Sequence, residues 1–321
     1  MAKYLITGIA GFIGSALANA LVERGEEVRG LDNYLTGKAA NLAKICGRID
    51  FREIDLRNAS AVRTACEGID YILHIGALPS VPLSVQDPGP SHACNVEGTF
   101  HVLEGARAAG VKRVLYAASS SAYGDQPVLP SKESMRPMPI SPYAVQKLTG
   151  EYYMSSYWQV YGLETVSLRY FNVFGPRQGA DSPYSGVLAK FILQMLEGTR
   201  PTIFGSGEQG RDFTFIDNVV SANLLACAAP ADKVAGKVFN IACGEQHPLK
   251  EMYRLLAKLI GYELPPLYAP SRTGDILNSQ ADISAAAQAF GYRPLVGVNE
   301  GLERTVEWYR ETLNLPAANS R

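Results

Sequence analysis

The sequence has few of the features that mark secreted, membrane-spanning or nucleic-acid-binding proteins. No apolar run reaches the roughly 18–20 residues that a membrane helix needs. The 30 basic and 31 acidic residues nearly cancel to a net charge of −1, whereas a nucleic-acid-binding protein usually has a basic face. The N-terminus has no basic segment followed by an apolar core and a cleavage site, so no secretory signal is predicted. We therefore expect a cytoplasmic protein that binds neither membranes nor nucleic acids.

Cysteine and histidine are also scarce. The five cysteines are widely spaced and form no C-x-x-C pair, and the four histidines lack the spacing of metal ligands. An odd number of isolated cysteines argues against a disulfide framework and favours reduced thiols, as in the cytosol. No metal site is predicted.

What the sequence does have is a regular alternation of strand-like and helix-like segments in its first half. Hydrophobic residues make up 47% of the chain, enough for a sizeable core. Short apolar runs lie at residues 4–7, 27–32, 70–77, 113–119 and 164–170. Between them, stretches with helical periodicity lie at 13–25, 60–68 and 95–110. This alternation predicts right-handed βαβ units and an α/β fold with a Rossmann-type, doubly wound parallel sheet.

The alternation weakens after residue 172, where proline and glycine become frequent. Helical stretches continue at 187–198, 216–229, 248–261 and 299–313, and a late strand is expected at 237–242. We predict a Rossmann domain over residues 1–173, to which segments near 214–243 return. A smaller α/β portion is predicted over 174–321.

A glycine-rich turn joins the first strand to the first helix. Gly8, Gly11 and Gly14 lie in the segment LITGIAGFIG, where they would allow a tight turn, a close approach to a pyrophosphate and close helix packing. Asp32 ends the second strand and can bind the ribose hydroxyls of an adenosine, while it would repel the additional phosphate of NADP. The alternative is a solvated loop aspartate after an ordinary glycine-rich turn. The pattern favours NAD binding.

Asp55, in the segment DLRN, follows the next apolar run. Its carboxylate is suited to a hydrogen bond with the adenine amino group of the cofactor. Alternatively, Asp55 only caps the helix that follows, which is a common function of aspartate.

Tyr143 and Lys147 lie one helical turn apart in SPYAVQK. Such a pair is common on surface helices and then has little meaning. A tyrosine, whose reference pKa is about 10, acts as a base near neutral pH only where a cation stabilises its phenolate, and a lysine one turn away is suited to that.

Ten fragments in order make the chain, over about residues 3–312, resemble the extended short-chain dehydrogenase/reductase family, and within it the nucleotide-sugar 4-epimerases. The fragments are GIAGFIG (8–14), DNYLTG (32–37), DL (55–56), HIGA (74–77), NVEGT (95–99), ASSSAYG (118–124), the Y-x-x-x-K pair (143–147), LRYFNVFGPRQ (168–178), GRDFTFIDNV (210–219) and RTGD (272–275).

The resemblance implies roles for the catalytic and cofactor-binding residues. Tyr143 would take the proton of the sugar 4-hydroxyl as hydride leaves C4, and Lys147 would lower the pKa of Tyr143 and hold the nicotinamide ribose. Ser119 would hydrogen-bond the same hydroxyl and relay the proton. A tightly bound NAD, regenerated within each cycle, would contact Gly8, Gly11, Phe12, Ile13, Gly14, Asp32, Asn33, Thr36, Gly37, Asp55, Leu56, Ile75, Gly76, Ala77, Asn95, Tyr143, Lys147 and Tyr170.

The same resemblance implies a UDP-sugar as substrate, held by the smaller portion. The 4-keto sugar must turn over in the site, so the UDP part would supply the binding energy. Asn172 and Arg211 would hold the diphosphate, with Arg272 as a second cation and Asp275 on the uridine ribose. Ion pairing of Arg211 and turn capping by Asp275 are the structural alternatives. The full expected substrate set is Ser80, Ser119, Ser121, Tyr143, Asn172, Val187, Leu188, Arg211, Arg272, Asp275 and Ser279.

Two departures from the family pattern bear on the substrate. HIGA has Gly76 where the family often has alanine, and LPSVPLS (78–84) has no lysine, unlike the glucose-type enzymes. Ser279 falls where the family has a gatekeeper residue beside the sugar, and its small size leaves room for a 2-acetamido group. We expect interconversion of UDP-N-acetylglucosamine and UDP-N-acetylgalactosamine, with UDP-glucose as a further substrate. Alternatively, Ser279 is an ordinary loop serine.

Other functions remain open at this point. The same scaffold serves uronic acid 4-epimerases, decarboxylases and dehydratases, although Ser120 and Ser121 replace the Asp-Glu pair of a dehydratase. A non-catalytic NAD(H) sensor or scaffold is a further alternative. The resemblance also implies a homodimer formed through the helix after NVEGT and the helix carrying Tyr143 and Lys147.

Overall fold

The computed structural model describes residues 1–180, 186–271 and 276–315, and its centre is a sheet of seven strands. The strands run in the order β11-β6-β5-β4-β1-β2-β3, and every pairing within the sheet is parallel. The strands of the described residues are β1 Lys3–Thr7, β2 Glu27–Asp32, β3 Asp50–Glu53, β4 Tyr71–His74, β5 Arg113–Ser119, β6 Glu164–Tyr170, β7 Val173–Phe174, β8 Thr202–Phe204, β9 Gly210–Arg211, β10 Thr214–Phe215, β11 Lys237–Ile241, β12 His247–Pro248 and β13 Leu267–Ala269.

Helices cover both faces of this sheet, as the predicted doubly wound α/β fold requires. Central strand residues such as Leu5, Ile72 and Val114 are fully buried, which is why these strands read as continuous apolar runs. The helices are α1 Phe12–Glu23, α2 Ala59–Ala65, α3 Val81–Gln86, α4 Pro88–His92, α5 Gly98–Ala109, α6 Pro142–Tyr161, α7 Val187–Leu196, α8 Ile216–Ala228, α9 Ala231–Val234, α10 Leu249–Ile260, α11 Ser284–Phe290 and α12 Val298–Thr312.

Part of the second half of the chain returns to the sheet. Strand β11 pairs with β6 along its whole length, and α8 packs against α1. The remaining strands form three two-stranded ribbons, β7 with β10, β9 with β12, and β8 with β13. Helices α7, α10 and α12 pack on one another beside these ribbons. The division into domains at residue 173 stays a prediction.

The segment after β4 is the main difference from the sequence-based expectation. The strand ends at His74 rather than continuing to residue 77, and the short helices α3 and α4 follow it. Residues 93–97 then form a π-helical turn before α5. The apolar run misleads here because Ile75, Gly76 and Ala77 leave the sheet at its carboxyl edge while remaining partly buried.

Because all strands of the main sheet are parallel, their carboxyl ends meet at one edge. The ends of β1, β2, β4 and β5 therefore bring the turns after Thr7, Asp32, His74 and Ser119 together. This is the edge at which open α/β sheets bind ligands. Within the described ranges, no helix has both the length and the apolar character to cross a membrane.

Candidate active site

The glycine-rich turn forms a tight cradle at the start of α1. Gly8 has a φ of +69°, and a Cβ atom added to Gly14 would lie 2.1 Å from the Gly8 carbonyl oxygen. A Cβ on Gly8 would lie 2.7 Å from Cα of Gly76, so the turn and the segment after β4 touch through backbone alone. Helix α1 begins at Phe12 without a side-chain cap, which leaves its first N–H groups available to an anion. Phe12 and Ile13 pack against the core, and the cradle fits the pyrophosphate of a dinucleotide.

Asp32 is held at the mouth of this cradle. Its carboxylate accepts hydrogen bonds from the backbone N–H of Ala10 at 2.9 Å and of Tyr34 at 2.8 Å. Burial raises its pKa, although these bonds act in the opposite direction. Gly37 packs so closely that an added Cβ would lie 2.9 Å from both carboxylate oxygens. The position fits an adenosine ribose, with Asn33 and Thr36 on the exposed part of the same loop.

Asp55 lies beside this loop and is tied to its neighbours. It accepts hydrogen bonds from Nη2 of Arg57 at 2.7 Å and Nδ2 of Asn33 at 2.8 Å, and the bonds to Arg57 lower its pKa. Helix α2 is capped by Asn58 rather than by Asp55, so the capping alternative for Asp55 is wrong. The adjacent Leu56 is buried, and a Cβ on Gly76 would meet its side chain at 2.9 Å. Contact of Asp55 with adenine stays a prediction.

A buried polar chain fixes the segment after β4. Thr99 Oγ1 donates to the Asn95 carbonyl oxygen at 2.7 Å, so it accepts from Nε2 of His74, 2.9 Å away. Nδ1 of His74 then accepts from Thr7 Oγ1 at 2.7 Å, and the N–H of Gly76 donates to Thr7 Oγ1 at 3.0 Å. Burial lowers the pKa of His74 to about 3, which keeps the ring neutral. The chain holds Ile75, Gly76 and Ala77 against the glycine-rich turn.

Helix α6 carries Tyr143 and Lys147, the two residues of the Y-x-x-x-K pair. Ser141 caps the helix by accepting from the N–H of Ala144 at 3.2 Å. Ser84 Oγ accepts the N–H of Tyr143 at 3.0 Å, which anchors the first turn to α3. One turn later, Nζ of Lys147 donates to the carbonyl oxygen of Ala117 at 2.9 Å and lies 4.9 Å from the centre of the Tyr116 ring. The lysine therefore joins α6 to the end of β5.

Tyr143 and Ser119 meet at the carboxyl end of β5. The phenol is half-buried, and the neighbouring Ser119 hydroxyl acts to lower its pKa. Burial raises the pKa of Tyr143 to about 12 and lowers that of Lys147 to about 8. The net shift for Tyr143 is upward because burial dominates, and the ammonium group of Lys147 is hydrogen-bonded to the carbonyl oxygen of Ala117. That Lys147 lowers the pKa of Tyr143 in the working site stays a prediction. Ser121 is bonded to Ser119, with its Oγ 2.9 Å from Oγ of Ser119.

Three residues expected to contact ligands are engaged with protein groups. Asn95 is buried and bonds to the backbone of Leu78 through both ends of its amide, with distances of 2.8 and 3.2 Å. Ser80 caps α3 by accepting the N–H of Leu83 at 3.1 Å. The hydroxyl of Tyr170 bonds to Asn223, with 2.8 Å between Nδ2 of Asn223 and the phenol oxygen. Direct ligand contacts by these residues stay predictions.

The structure brings three of the expected substrate residues together. Nδ2 of Asn172 donates to Ser279 Oγ at 3.2 Å and to the Asp212 carbonyl oxygen at 3.0 Å. The guanidinium of Arg211 donates to the carbonyl oxygens of Leu277 and of its neighbour Ile276, with 3.0 Å to Leu277. Asn172 has a φ of +32°, so this corner is conformationally constrained.

The other expected substrate residues lie apart or are not described. Leu188 is buried in α7, and Val187 packs against the core at the start of that helix. Arg272 and Asp275 lie outside the described residues.

A buried ion pair that the sequence did not predict lies one turn further along the face of α6 that carries Tyr143 and Lys147. Glu151 lies one turn after Lys147, and its carboxylate accepts two bonds from Arg169, at 2.9 and 2.7 Å. The negative charge raises the pKa of Lys147, in opposition to burial. The continuation of the four-residue spacing from 143 and 147 to 151 could have pointed to Glu151, whereas the partner on β6 could not be read from the helix. Within the described ranges, no group of acidic, histidine or cysteine side chains is arranged to hold a metal ion.

Comparison with known proteins places this geometry in context. Residues 4–242 match the model of the NAD dependent epimerase/dehydratase family. The chain is 37% identical over 312 residues to a UDP-glucose 4-epimerase of Mycolicibacterium smegmatis, covering 96% of this chain and 98% of that protein.

Two solved structures are close in fold. One is a UDP-N-acetylglucosamine 4-epimerase from Methanobrevibacter ruminantium in complex with UDP-N-acetylmuramic acid, with a TM-score of 0.91, 35% identity and coverage of 97% of this chain and 99% of the other. The other is a variant of a UDP-glucuronic acid 4-epimerase from Bacillus cereus, solved with a fluorinated substrate analogue and NAD, with a TM-score of 0.90, 32% identity and coverage of 97% and 99%.

Proposed function

The chain belongs to the NAD-dependent epimerase/dehydratase family, and from that membership we propose that it is an NAD-dependent UDP-sugar 4-epimerase. The observation that carries the proposal is the placement of Tyr143 beside Ser119, with buried Lys147 one turn further along α6. These groups lie at the same sheet edge as the glycine-rich cradle. The relatives named above act on three different sugars, so the scaffold alone does not choose among them.

Proton transfer falls to Tyr143 in this proposal. When bound, NAD⁺ supplies a hydride acceptor and, once reduced, a hydride donor. As the hydride leaves C4 of the sugar, the phenolate of Tyr143 takes the proton of the 4-hydroxyl, and C4 becomes a ketone. Ser119 holds the same hydroxyl. After the ketone has turned over and regained hydride on its other face, Tyr143 returns the proton, so that no net oxidation remains.

Burial sets the electrostatic requirement for this step. Because burial raises the pKa of Tyr143 to about 12, ionisation of the phenol needs positive charge beside it. Lys147 remains charged below its pKa of about 8, and Glu151 supports that charge. The positive nicotinamide ring would act in the same direction as the ammonium group. The catalytic tyrosine would therefore ionise mainly when the cofactor is oxidised and bound.

The substrate we propose is a UDP-N-acetylhexosamine. Asn172 and Arg211 would bind the diphosphate and hold the nucleotide while the 4-keto sugar rotates. Ser279 is half-buried, and its Oγ is 3.2 Å from Nδ2 of Asn172. A small side chain beside the sugar leaves space for the acetamido group. Because Ser279 is hydrogen-bonded to Asn172, a larger residue at position 279 would also disturb the proposed contact of Asn172 with the diphosphate. UDP-glucose would also fit this space.

Incubation with separate UDP-sugars tests the proposal. Purified protein without added cofactor is mixed with UDP-N-acetylglucosamine, UDP-glucose or UDP-glucuronic acid, and the products are separated by ion-pair chromatography. We expect conversion of the N-acetylated sugar to its 4-epimer, with Tyr143→Phe as the inactive control. Turnover of UDP-glucuronic acid or UDP-glucose alone would refute the substrate assignment and leave the epimerase assignment intact. A product of lower mass would indicate a decarboxylase or a dehydratase. No turnover, with or without NAD, would favour the sensor or scaffold alternative.

A homodimer formed through α5 and α6 is part of the same proposal. These helices expose large apolar side chains, including Phe100, Val145, Tyr152 and Tyr161. The ring of Phe100 lies 5.9 Å from that of Tyr153, which joins the two helices into one apolar surface. Exposed patches of this kind commonly mark protein–protein contacts.

A further inference from the structure

We propose that Gln146 is a positioning residue: its side-chain amide fixes the orientation of Asn95 and thereby holds the segment after β4 against the start of α6. The activity arm of its test rests on the proposed epimerase function. Gln146 lies between Tyr143 and Lys147 on α6, yet only 3% of its surface is exposed. A buried primary amide needs hydrogen-bond partners at both ends, and Gln146 finds them on two different segments.

The Ser91 end determines how the Gln146 amide is oriented. Ser91 Oγ donates its one proton to the carbonyl oxygen of Pro88, 3.0 Å away. It can therefore only accept from Gln146, whose Nε2 lies 3.0 Å from it. The nitrogen of the amide thus faces Ser91, and Oε1 faces Asn95.

Asn95 is oriented by Gln146 and by the backbone of Leu78 together. Its Nδ2 donates to Gln146 Oε1 at 2.9 Å and to the Leu78 carbonyl oxygen at 3.2 Å, so both amide protons are used. Its Oδ1 accepts the N–H of Leu78 at 2.8 Å. A flipped Asn95 amide would place oxygen against the oxygens of Gln146 and Leu78. Since Asn95 is 1% exposed, no solvent is at hand to replace the lost bonds.

The Leu78 contact transmits this orientation to the site. Leu78 directly follows Ile75, Gly76 and Ala77, which border the glycine-rich turn. The front of the segment is held by Thr7 through the N–H of Gly76 at 3.0 Å. Its far end leads into α3, where Ser84 accepts the N–H of Tyr143 at 3.0 Å. Gln146 is therefore, beside Ser84, a second side-chain link that sets the distance between this segment and the helix turn carrying Tyr143 and Lys147.

The consequence is geometric rather than chemical. Gln146 does not face Tyr143 or Ser119 in these contacts, so its loss would leave the proton-transfer groups in place while shifting the backbone of residues 75–78 beside the glycine-rich turn. A misplacement of about 1 Å at a reacting centre can reduce the rate about 100-fold. Such a shift affects the reaction step more than the binding of UDP, which is held by the separate corner of Asn172 and Arg211.

The test compares Gln146→Met with Gln159→Met. Gln159 is exposed on the same helix, so the control makes the same chemical change without a buried amide. Four quantities are measured: kcat and KM with the preferred UDP-sugar, the isotope effect of deuterium at C4, and the amount of NAD that stays bound through gel filtration. For Gln146→Met we expect kcat to fall about 10- to 100-fold with KM changed by less than about threefold, a larger isotope effect, and reduced NAD retention. Gln159→Met should match wild type.

A double variant separates positioning from loss of folding. If Gln146 acts through Asn95, adding Gln146→Met to Asn95→Ala should reduce kcat no further than Asn95→Ala alone. Ser91→Ala, which leaves the Gln146–Asn95 bond intact, should give a smaller change in the same direction. Multiplicative losses in the double variant, or a kcat for Gln146→Met within about twofold of wild type, would overturn the proposal. If wild type turns over no UDP-sugar, the proposed function fails instead. The NAD retention of Gln146→Met against Gln159→Met then decides the positioning role by itself.

Discussion

Lys147→Met should destroy activity and yet make the cofactor-free protein more stable at neutral pH. Burial lowers the pKa of Lys147 from 10.5 to about 8. At about 1.4 kcal/mol for each pKa unit, the folded protein loses about 3 kcal/mol by keeping this group charged. Methionine has a similar length and no charge. It forfeits the bond from Nζ to the carbonyl oxygen of Ala117, which contributes about 1 kcal/mol, and the contact with the Tyr116 ring, which contributes about 0.5–1 kcal/mol. The expected net gain is about 1–2 kcal/mol.

The pH dependence of this gain has a definite sign. The folded-state pKa lies below the unfolded one, so below about pH 8 the lysine is charged in both states and the full penalty applies. Between pH 8 and about 10.5 the folded protein loses the proton while the unfolded chain keeps it, so wild-type stability rises relative to the variant. The gap between the two proteins should therefore be largest near pH 7 and should close as the pH approaches 10.5.

Urea unfolding of the cofactor-free proteins at several pH values measures this gap. NAD is removed first because a ligand that binds only the folded state adds its own stabilisation. Lys44→Met, at an exposed lysine, is the matched control and should leave the unfolding midpoint almost unchanged. A variant less stable than wild type at pH 7, or a gap that stays constant up to pH 10, would refute the burial argument for Lys147.

Four further outcomes concern the cofactor, the chemistry, the substrate and the assembly. Tyr143→Phe should lower kcat by about 10²–10⁴-fold and leave UDP binding, measured by calorimetry, unchanged. Gly14→Ala should purify without NAD, as judged by near-ultraviolet absorbance, because its Cβ would lie 2.1 Å from the Gly8 carbonyl oxygen; retention of NAD would contradict the cradle. Ser279→Tyr should reduce turnover of UDP-N-acetylglucosamine relative to UDP-glucose by roughly tenfold or more, and an unchanged ratio of kcat/KM values would remove the gatekeeper role. Phe100→Glu should shift the protein from dimer to monomer in light scattering, and a monomeric wild type would contradict the α5–α6 interface.

The sheet was accessible from sequence because its strands are buried on both faces. Apolar runs at 113–119 and 164–170 coincide with β5 and β6, since most side chains between two helical layers are apolar and the few buried charges, such as Arg169, are paired. The strand predicted at 70–77 is longer than the observed β4 for a related reason. Gly76 is enclosed by the glycine-rich turn and by Leu56 rather than by strand neighbours, and apolar composition cannot tell these two environments apart.

Some predicted roles depend on a single backbone position. Gly8 and Gly14 are determined by local turn geometry, and Asp32 by its place at a strand end, so a short segment contains the needed information. Asn95 and Ser80 were assigned to ligands, whereas the structure shows their side chains bonded to Leu78 and Leu83. Their partners are set by how α3 and the π-helical turn pack, which depends on segments up to 51 residues away, such as Gln146.

The Tyr143–Lys147 pair shows where the sequence stops being informative. A four-residue spacing places two side chains on one helix face, and it says nothing about the dielectric around them. In the structure Lys147 is buried and Tyr143 is half-buried, so burial moves the two pKa values apart, to about 12 for Tyr143 and about 8 for Lys147, and disfavours the charge on each. The ion pair of Glu151 with Arg169 extends the same helix face and puts a negative charge next to Lys147, which opposes part of the burial penalty.

Removing the negative charge of Glu151 by Glu151→Gln should leave the Arg169 guanidinium buried without its counter-ion, and a loss of about 3–5 kcal/mol in the free energy of unfolding is expected. The acidic limb of the pH profile of kcat should be unaffected. The alkaline limb depends on the charge of Lys147 and should move to lower pH. A pH profile of kcat with an unmoved alkaline limit would show that Glu151 serves stability alone.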